Sequence, residues 1–160
     1  MTEISFKSAG ELNSDTVSRN NSQRSVSPIG IKTPLRLGND SDGIFSMNYD
    51  LKEQIRDNLK NLILTNSGER LGFYDFGANL LELANEVTSN TKEDFDFEAI
   101  SRIKSTVSKY LPYIDLETFE SSIDNDNNEH TGKILIKIIY NIPELNIEKE
   151  GLQIVIFAGG

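Results

Sequence analysis

Cysteine is absent from this chain, and histidine occurs once, at His130. Without thiols, disulfide staples and thiolate metal sites are excluded, which fits a cytoplasmic protein. With one histidine, no His-based metal pair can form, and Ser-His-Asp catalysis would require a polar-loop residue to be held rigidly. His130 reads as a solvated turn residue. Long apolar runs are missing as well. No stretch approaches the roughly 20 residues that span a bilayer. The first thirty residues contain no apolar h-region, so no signal peptide is expected. No P-loop, GxGxxG or nucleophile elbow is present.

Positive charge is scarce and unevenly placed. The net charge of −9 divides into +2 for residues 1–38 and −11 for residues 39–160. An acidic body argues against binding a phosphate backbone, which needs clustered Lys and Arg. It suits solubility and protein partners selected by charge. No nucleic acid, membrane, cofactor or metal is expected as a partner.

The 160 residues suffice for one domain with an arm. Residues 1–27 are rich in Ser and Asn and poor in aliphatics, and read as a flexible arm. The segment 28–35, PIGIKTPL, reads as extended and surface-lying. The cluster 38–43 is a turn whose Asn/Asp/Ser spacing only superficially resembles a calcium loop, since the DxDxDG order and the closing Glu are lacking. The division expected is an arm over 1–44 and a domain over 45–160.

Within that domain the periodicity predicts a helix over 49–66, started by Asp50 with Glu53 in a capping box and stopped by a left-handed Gly68. A loop follows over 67–79. Leu80, Leu81, Leu83, Ala84 and Val87 predict a short apolar helix capped by Asn79. A third helix should start near Asp94 or Asp96 and bury Phe97, Ile100, Ile103, Val107, Tyr110 and Leu111 before Pro112. Acids at its start and bases in its second half match the helix dipole. The period then changes. Strands are predicted at 114–123 and 133–141, joined by a polar hairpin loop over 124–131, and a last strand at 152–157. Helices followed by strands give an α+β fold, with the helices packed on one face of a small antiparallel sheet and an extended N-terminal arm.

The loop carries the most specific signal. Gly68-Glu69-Arg70 after a helix, then Asp75-Phe76-Gly77 leading into a short helix, resembles the signature of the small baseplate-wedge, sheath-initiator family of contractile-tailed phages. That family has relatives in type VI secretion and other injection machines. Tyr74 stands where members usually have Pro. The order of later elements also matches, so the resemblance covers 45–157. Many members carry Glu-Pro-Arg at the junction of the last helix and the first strand, a motif that docks on the helical core bundle of larger wedge subunits. The matching positions here are Leu111, Pro112 and Tyr113, so docking would use apolar and aromatic contact.

The resemblance implies a structural, non-enzymatic subunit of the tail baseplate of a virion, made and assembled in the host cytoplasm. Its implied partners are larger wedge proteins, tail sheath subunits and the tail tube. The last strand, with Ile154, Val155, Ile156 and Phe157 apolar on both faces, must be covered or paired. It is either the central strand of the domain's own sheet or an edge to which sheath arms add as extra strands. Two alternatives remain. One is a muralytic glycosidase, because the family has been labelled lysozyme-like and Glu69 and Asp75 are carboxylates near an arginine. Against it, Arg70 would simply pair with Asp75 or a neighbouring carbonyl. The other is an equivalent subunit of a secretion or injection apparatus.

Overall fold

The computed structural model describes residues 27–38, 43–86, 92–124 and 132–158. The hairpin loop with His130, most of the 38–43 turn cluster and Val87 therefore lie outside the described residues, as does nearly all of the expected flexible arm. The chain divides into two compact units at residues 54 and 55.

In the first unit, β1 (Gly30–Ile31) pairs antiparallel with β2 (Met47–Asn48), and Leu37 bridges to Phe45. The segment after Pro28 runs extended into β1, but the chain bends at Thr33 and Pro34, so the extended reading of 28–35 holds only for its first half. Asp50 caps α1 (Leu51–Leu64): its carboxylate accepts the Lys52 N–H at 3.0 Å. The capping box is only half formed, because Glu53 pairs with Lys32 at 3.3 Å instead of turning back to Asp50. Asn48 is fully buried and donates to Gln54 at 3.1 Å.

The second unit holds the rest of α1 and two further helices, α2 (Leu80–Glu86) and α3 (Lys92–Tyr110). They are followed by β3 (Asp115–Asp124), β4 (Gly132–Ile142), a 3-10 turn (Pro143–Leu145) and β5 (Ile147–Ala158). The three strands form an antiparallel sheet in the order β3-β4-β5. Alternation sets the faces. Ile134, Ile136, Ile138, Tyr140 and Ile142 of β4 and Leu152, Ile154 and Ile156 of β5 are buried together with the helices. α2 packs on β5 and α3 on β3. The α+β class and the one-sided helical layer are as the sequence predicts.

Three expectations need correction. In α3 the fully buried aromatic is Phe95, whereas Phe97 is 77% exposed. The inward row is Phe95, Ala99, Ile103 and Val107, a strict four-residue repeat that starts two residues before the predicted face. The last strand begins at Ile147, five residues earlier than its apolar run, because the turn at Pro143–Leu145 with left-handed Asn146 returns the chain at once. Finally, among the described residues β4 occupies the centre of the sheet and β5 an edge, so of the two readings of the last strand the central one is not what the sheet shows.

Both outer strands carry irregularities where the sheet begins. β3 has a register shift around Glu117 and β5 one near Lys149, whose φ is +54°. Asn141 on β4 ties the two: its amide donates to Glu117 at 2.6 Å and its oxygen accepts the Lys149 N–H at 2.7 Å.

Candidate functional site

The loop 67–79 closes the exposed end of α1. The last carbonyls of a helix have no partners within it. Here the Leu62 carbonyl accepts the Ala78 N–H at 3.3 Å and the Thr65 carbonyl accepts the Asn79 N–H at 3.4 Å. That return brings Gly77 so close that a Cβ there would stand 2.1 Å from the Thr65 oxygen. At the other end of the loop Gly68 takes φ +86°, the left-handed stop its position predicts, and its N–H donates to the Tyr74 carbonyl at 2.7 Å. α3 holds the same loop from the side. Arg102 donates to the Asn79 carbonyl at 3.1 Å, and the Thr106 hydroxyl, which donates to the Arg102 carbonyl at 2.8 Å, lies 3.4 Å from the Gly77 carbonyl. Asn79 stands at the head of α2 but does not cap it as predicted: its φ is +52° and its side-chain amide donates to the Glu82 carboxylate instead of accepting a backbone N–H.

The charged members of the signature divide their roles. Glu69 accepts both the backbone N–H and the side-chain amide of Asn66, at 2.8 and 2.9 Å. The backbone bond first, and the amide second, hold its carboxyl below the usual range. Asp75 is paired with Lys109 and accepts the Tyr110 hydroxyl at 2.9 Å. The Lys109 bond, then the Tyr110 bond, lower its pKa, and Lys109 is raised in turn by Asp75. The expected pairing of Arg70 with Asp75 is thus not formed. The guanidinium of Arg70 instead lies 4.2 Å from the centre of the Phe76 ring and 5.3 Å from that of Phe73. Phe76 meets Tyr110 edge-on, with ring centres 5.0 Å apart.

These groups surround an open groove of about 750 Å³ between the end of α1, the loop and the end of α3. Leu111 forms part of its floor. The helix-strand junction therefore adjoins the signature loop, although the two are distant in sequence. Leu111 itself is buried, Pro112 is exposed, and Tyr113 is half-buried with its phenol pushed up by burial. The Ile114 N–H donates to the Leu111 carbonyl at 3.0 Å and closes the turn over Pro112 and Tyr113. Sequence reasoning missed Lys109, Tyr110 and Phe73 as shapers of this site. No local spacing announces a contact made across 34 residues, as between Asp75 and Lys109.

The strand residues 154–157 line no part of that groove. Ile154 and Ile156 are buried under the helices, while Val155 and Phe157 face outward, Phe157 at 65% exposure. Among the described residues no strand pairs with the outer side of β5. The outer side of β3 is equally unpaired but differs in chemistry. It is interrupted at Glu117 and carries Asp115, Glu117 and Glu120, whereas 152–157 of β5 has no charge and no break.

Comparison with known proteins agrees with this geometry. Residues 49–146 match the family model described as Baseplate wedge protein gp25. Two solved structures share the fold. One is a candidate tail lysozyme from Geobacter sulfurreducens, 20% identical, with a TM-score of 0.57, covering 72% of this chain and 97% of that one. The other is a chain of the cryo-EM baseplate of the anti-feeding prophage, 16% identical, with a TM-score of 0.55, covering 73% of this chain and 86% of that one. No curated protein sequence matches the chain. The match spans more than half of the chain and contains both the signature loop and the helix-strand junction, and the chain belongs to the baseplate wedge protein gp25 family.

Proposed function

We propose that this protein is a structural wedge subunit of a contractile-tail baseplate, that it docks on larger wedge proteins through the junction at Leu111, Pro112 and Tyr113, and that β5 templates the first sheath subunits by accepting their arms as added strands. Residues 45–160 form the working domain and residues 1–44 its N-terminal arm, of which Gly30, Ile31 and Leu37 already pair with residues 45–48. The location is the tail baseplate of the virion, reached after synthesis in the host cytoplasm, with the tail tube nearby.

The observation that carries this reading is the unpaired outer side of β5. An uncharged, uninterrupted stretch of edge is a template for another strand, and proteins that do not use such edges blunt them with charge or bulges. β3 is blunted in that way over 115–120 and β5 over 148–150, but the six residues 152–157 of β5 are not. Backbone hydrogen bonds would supply affinity, and the alternation of Val155 and Phe157 on the outward face would fix register.

A glycosidase needs one carboxyl held protonated to serve as general acid and a second on the far side of the bond. Glu69 and Asp75 are both held below the usual carboxylate range, so neither is prepared for that task. An equivalent role in an injection apparatus would use the same two surfaces, and capsid and terminase genes nearby would separate a phage from it.

The test is sheath seeding. Purified cognate sheath subunits are mixed with baseplates carrying either the natural chain or the Val155→Lys, Phe157→Lys variant, and sheathed tubes are counted by electron microscopy. Both side chains point outward, so the variant should keep its circular dichroism. Loss of sheathed tubes with the fold intact is the expected result. Equal seeding by the variant sinks the strand-template reading.

A further inference from the structure

The groove beside the signature loop holds two charged side chains, and they are not equivalent. Glu69 has committed both oxygens to Asn66. Arg70 forms no ion pair among the described residues, because Asp75 is taken by Lys109 and Tyr110. Its guanidinium is nonetheless held in place by the rings of Phe76 and Phe73. Ring contact engages the guanidinium through its charge and leaves N–H donors available to an acceptor. The lining beside it is mixed: Leu62, Phe73, Phe76 and Leu111 are apolar, and Asn58, Asn61 and Thr65 are polar. On the same loop Leu71 and Tyr74 stand 90% and 69% exposed.

A cation positioned on aromatic rings, with donors uncommitted and Phe73, Phe76 and Leu111 beside it, suits a carboxylate that arrives with apolar company. The rest of the molecule narrows the choice. Residues 39–160 carry a net charge of −11, so a run of acids would be repelled by the body that surrounds the groove. A lone carboxylate among aliphatic side chains escapes most of that repulsion and still meets Arg70.

We infer that this groove receives a segment of a partner protein in which a single Asp or Glu is flanked by aliphatic residues. The carboxylate meets the Arg70 guanidinium, and the aliphatic groups pack on Phe73, Phe76 and Leu111. This rests on the docking reading above, since Leu111 belongs to both surfaces, and it names the chemistry that the wedge partner must present. Arg70 then supplies the charge recognition that Leu111, Pro112 and Tyr113 cannot.

The test uses the isolated full-length protein, labelled with nitrogen-15, and two capped peptides, acetyl-Leu-Glu-Leu-Leu-amide and its Gln counterpart. Binding is followed through the Arg70 side-chain Nε–H and the backbone amides of Phe73, Phe76 and Tyr110. The Glu peptide should shift these signals and bind roughly five- to tenfold more tightly than the Gln peptide, as a charge-assisted hydrogen bond implies. In Arg70→Gln that preference should vanish, and in Arg70→Lys it should shrink, because an ammonium lacks the planar fork. Equal binding of the two peptides to the natural protein overturns the inference, and that comparison needs no variant. Absence of shifts at Arg70, or a Glu preference that survives in Arg70→Gln, overturns it too. The outcome is independent of sheath seeding. A peptide preference with failed assembly condemns the assembly reading alone, and normal assembly without a peptide preference condemns this one alone.

Discussion

Tyr110 donates its hydroxyl to Asp75 at 2.9 Å, and Lys109, its neighbour on α3, pairs with the same carboxylate. Two consecutive residues at the end of one helix thus pin a loop 34 and 35 residues earlier in the chain. The pin does two things. It holds Phe76 edge-on to Tyr110, and it removes the acid that would otherwise neutralise Arg70.

A pH dependence follows from that pin. Asp75 and Glu69 have folded pKa values below their unfolded ones. Their contribution to stability is therefore present above the ordinary carboxylate range, about pH 4, and is lost as pH falls through the lower folded values. Carbon-13 titration of the side-chain carboxyls should find both midpoints below the ordinary carboxylate value of about 4. Replacing Lys109 by Met should return Asp75 toward the ordinary value and leave Glu69 unmoved. Midpoints of Asp75 and Glu69 in the ordinary range would contradict the hydrogen-bond assignment.

Gly77 is the position where the loop tolerates least. Its φ of +113° disfavours any side chain, and a Cβ would stand 2.1 Å from a backbone oxygen that cannot move without unwinding the end of α1. Gly77→Ala should cost about 3 kcal/mol, a fall in Tm of roughly 10 °C for a domain of this size. Gly72→Ala also changes a left-handed position, at φ +79°, but a Cβ there meets nothing within 4 Å. Its cost should be about 1 kcal/mol. Calorimetry of the two variants compares strain with and without a clash, and equal losses would show that the close approach to Thr65 is unimportant.

Tyr140 lies fully buried in the centre of the sheet, and its hydroxyl finds no hydrogen-bond partner among the described residues. Burial first, then the Glu150 charge, pushes its phenol up, with Arg56 opposing. A raised phenol pKa means that the folded state favours the neutral ring, so stability is lost as pH rises past the unfolded value near 10. Tyr140→Phe removes an uncompensated polar atom and should be neutral or stabilising by about 1 kcal/mol. In a spectrophotometric titration the variant should lose one tyrosine that ionises above the usual phenol range. A loss of stability above that size would mean that the hydroxyl is satisfied by an internal water.

Much of this was legible in the sequence because it is written in local chemistry. Asp50 caps α1 and Gly68 turns left-handed because those residue types have few other uses at those places. The signature Gly68-Glu69-Arg70 and Asp75-Phe76-Gly77 announced a loop of defined shape, and the family match spans it. The partners inside that loop were not legible. Arg70 and Asp75 are five residues apart and of opposite charge, so proximity in sequence suggested a pair. Lys109 and Tyr110 won Asp75 because the fold carries the end of α3 to the loop. Strand order was equally hidden. An apolar run such as 152–157 looks the same whether it ends in the centre or at the edge, since one face and one neighbour satisfy either position.

The two phenylalanines of α3 separate pattern from packing most directly. From sequence, Phe97 joins Ile100, Ile103 and Val107 at helical spacing and looks like the anchor of the buried face. Phe95 fits a different repeat, with Ala99, Ile103 and Val107, each four residues on. The two rows share their last members, so only the first turn distinguishes them, and there Phe95 and Ala99 are the fully buried pair. Phe95→Ala should therefore cost about 3–5 kcal/mol by emptying a ring-sized volume. Phe97→Ala should change stability by no more than about 0.5 kcal/mol, since its ring is already in water. Urea unfolding of both variants makes the comparison, with the same m expected for each. If Phe97→Ala proved the costlier, α3 would have to be rotated from the face described, and the contacts of Arg102 and Thr106 with the loop would turn away with it.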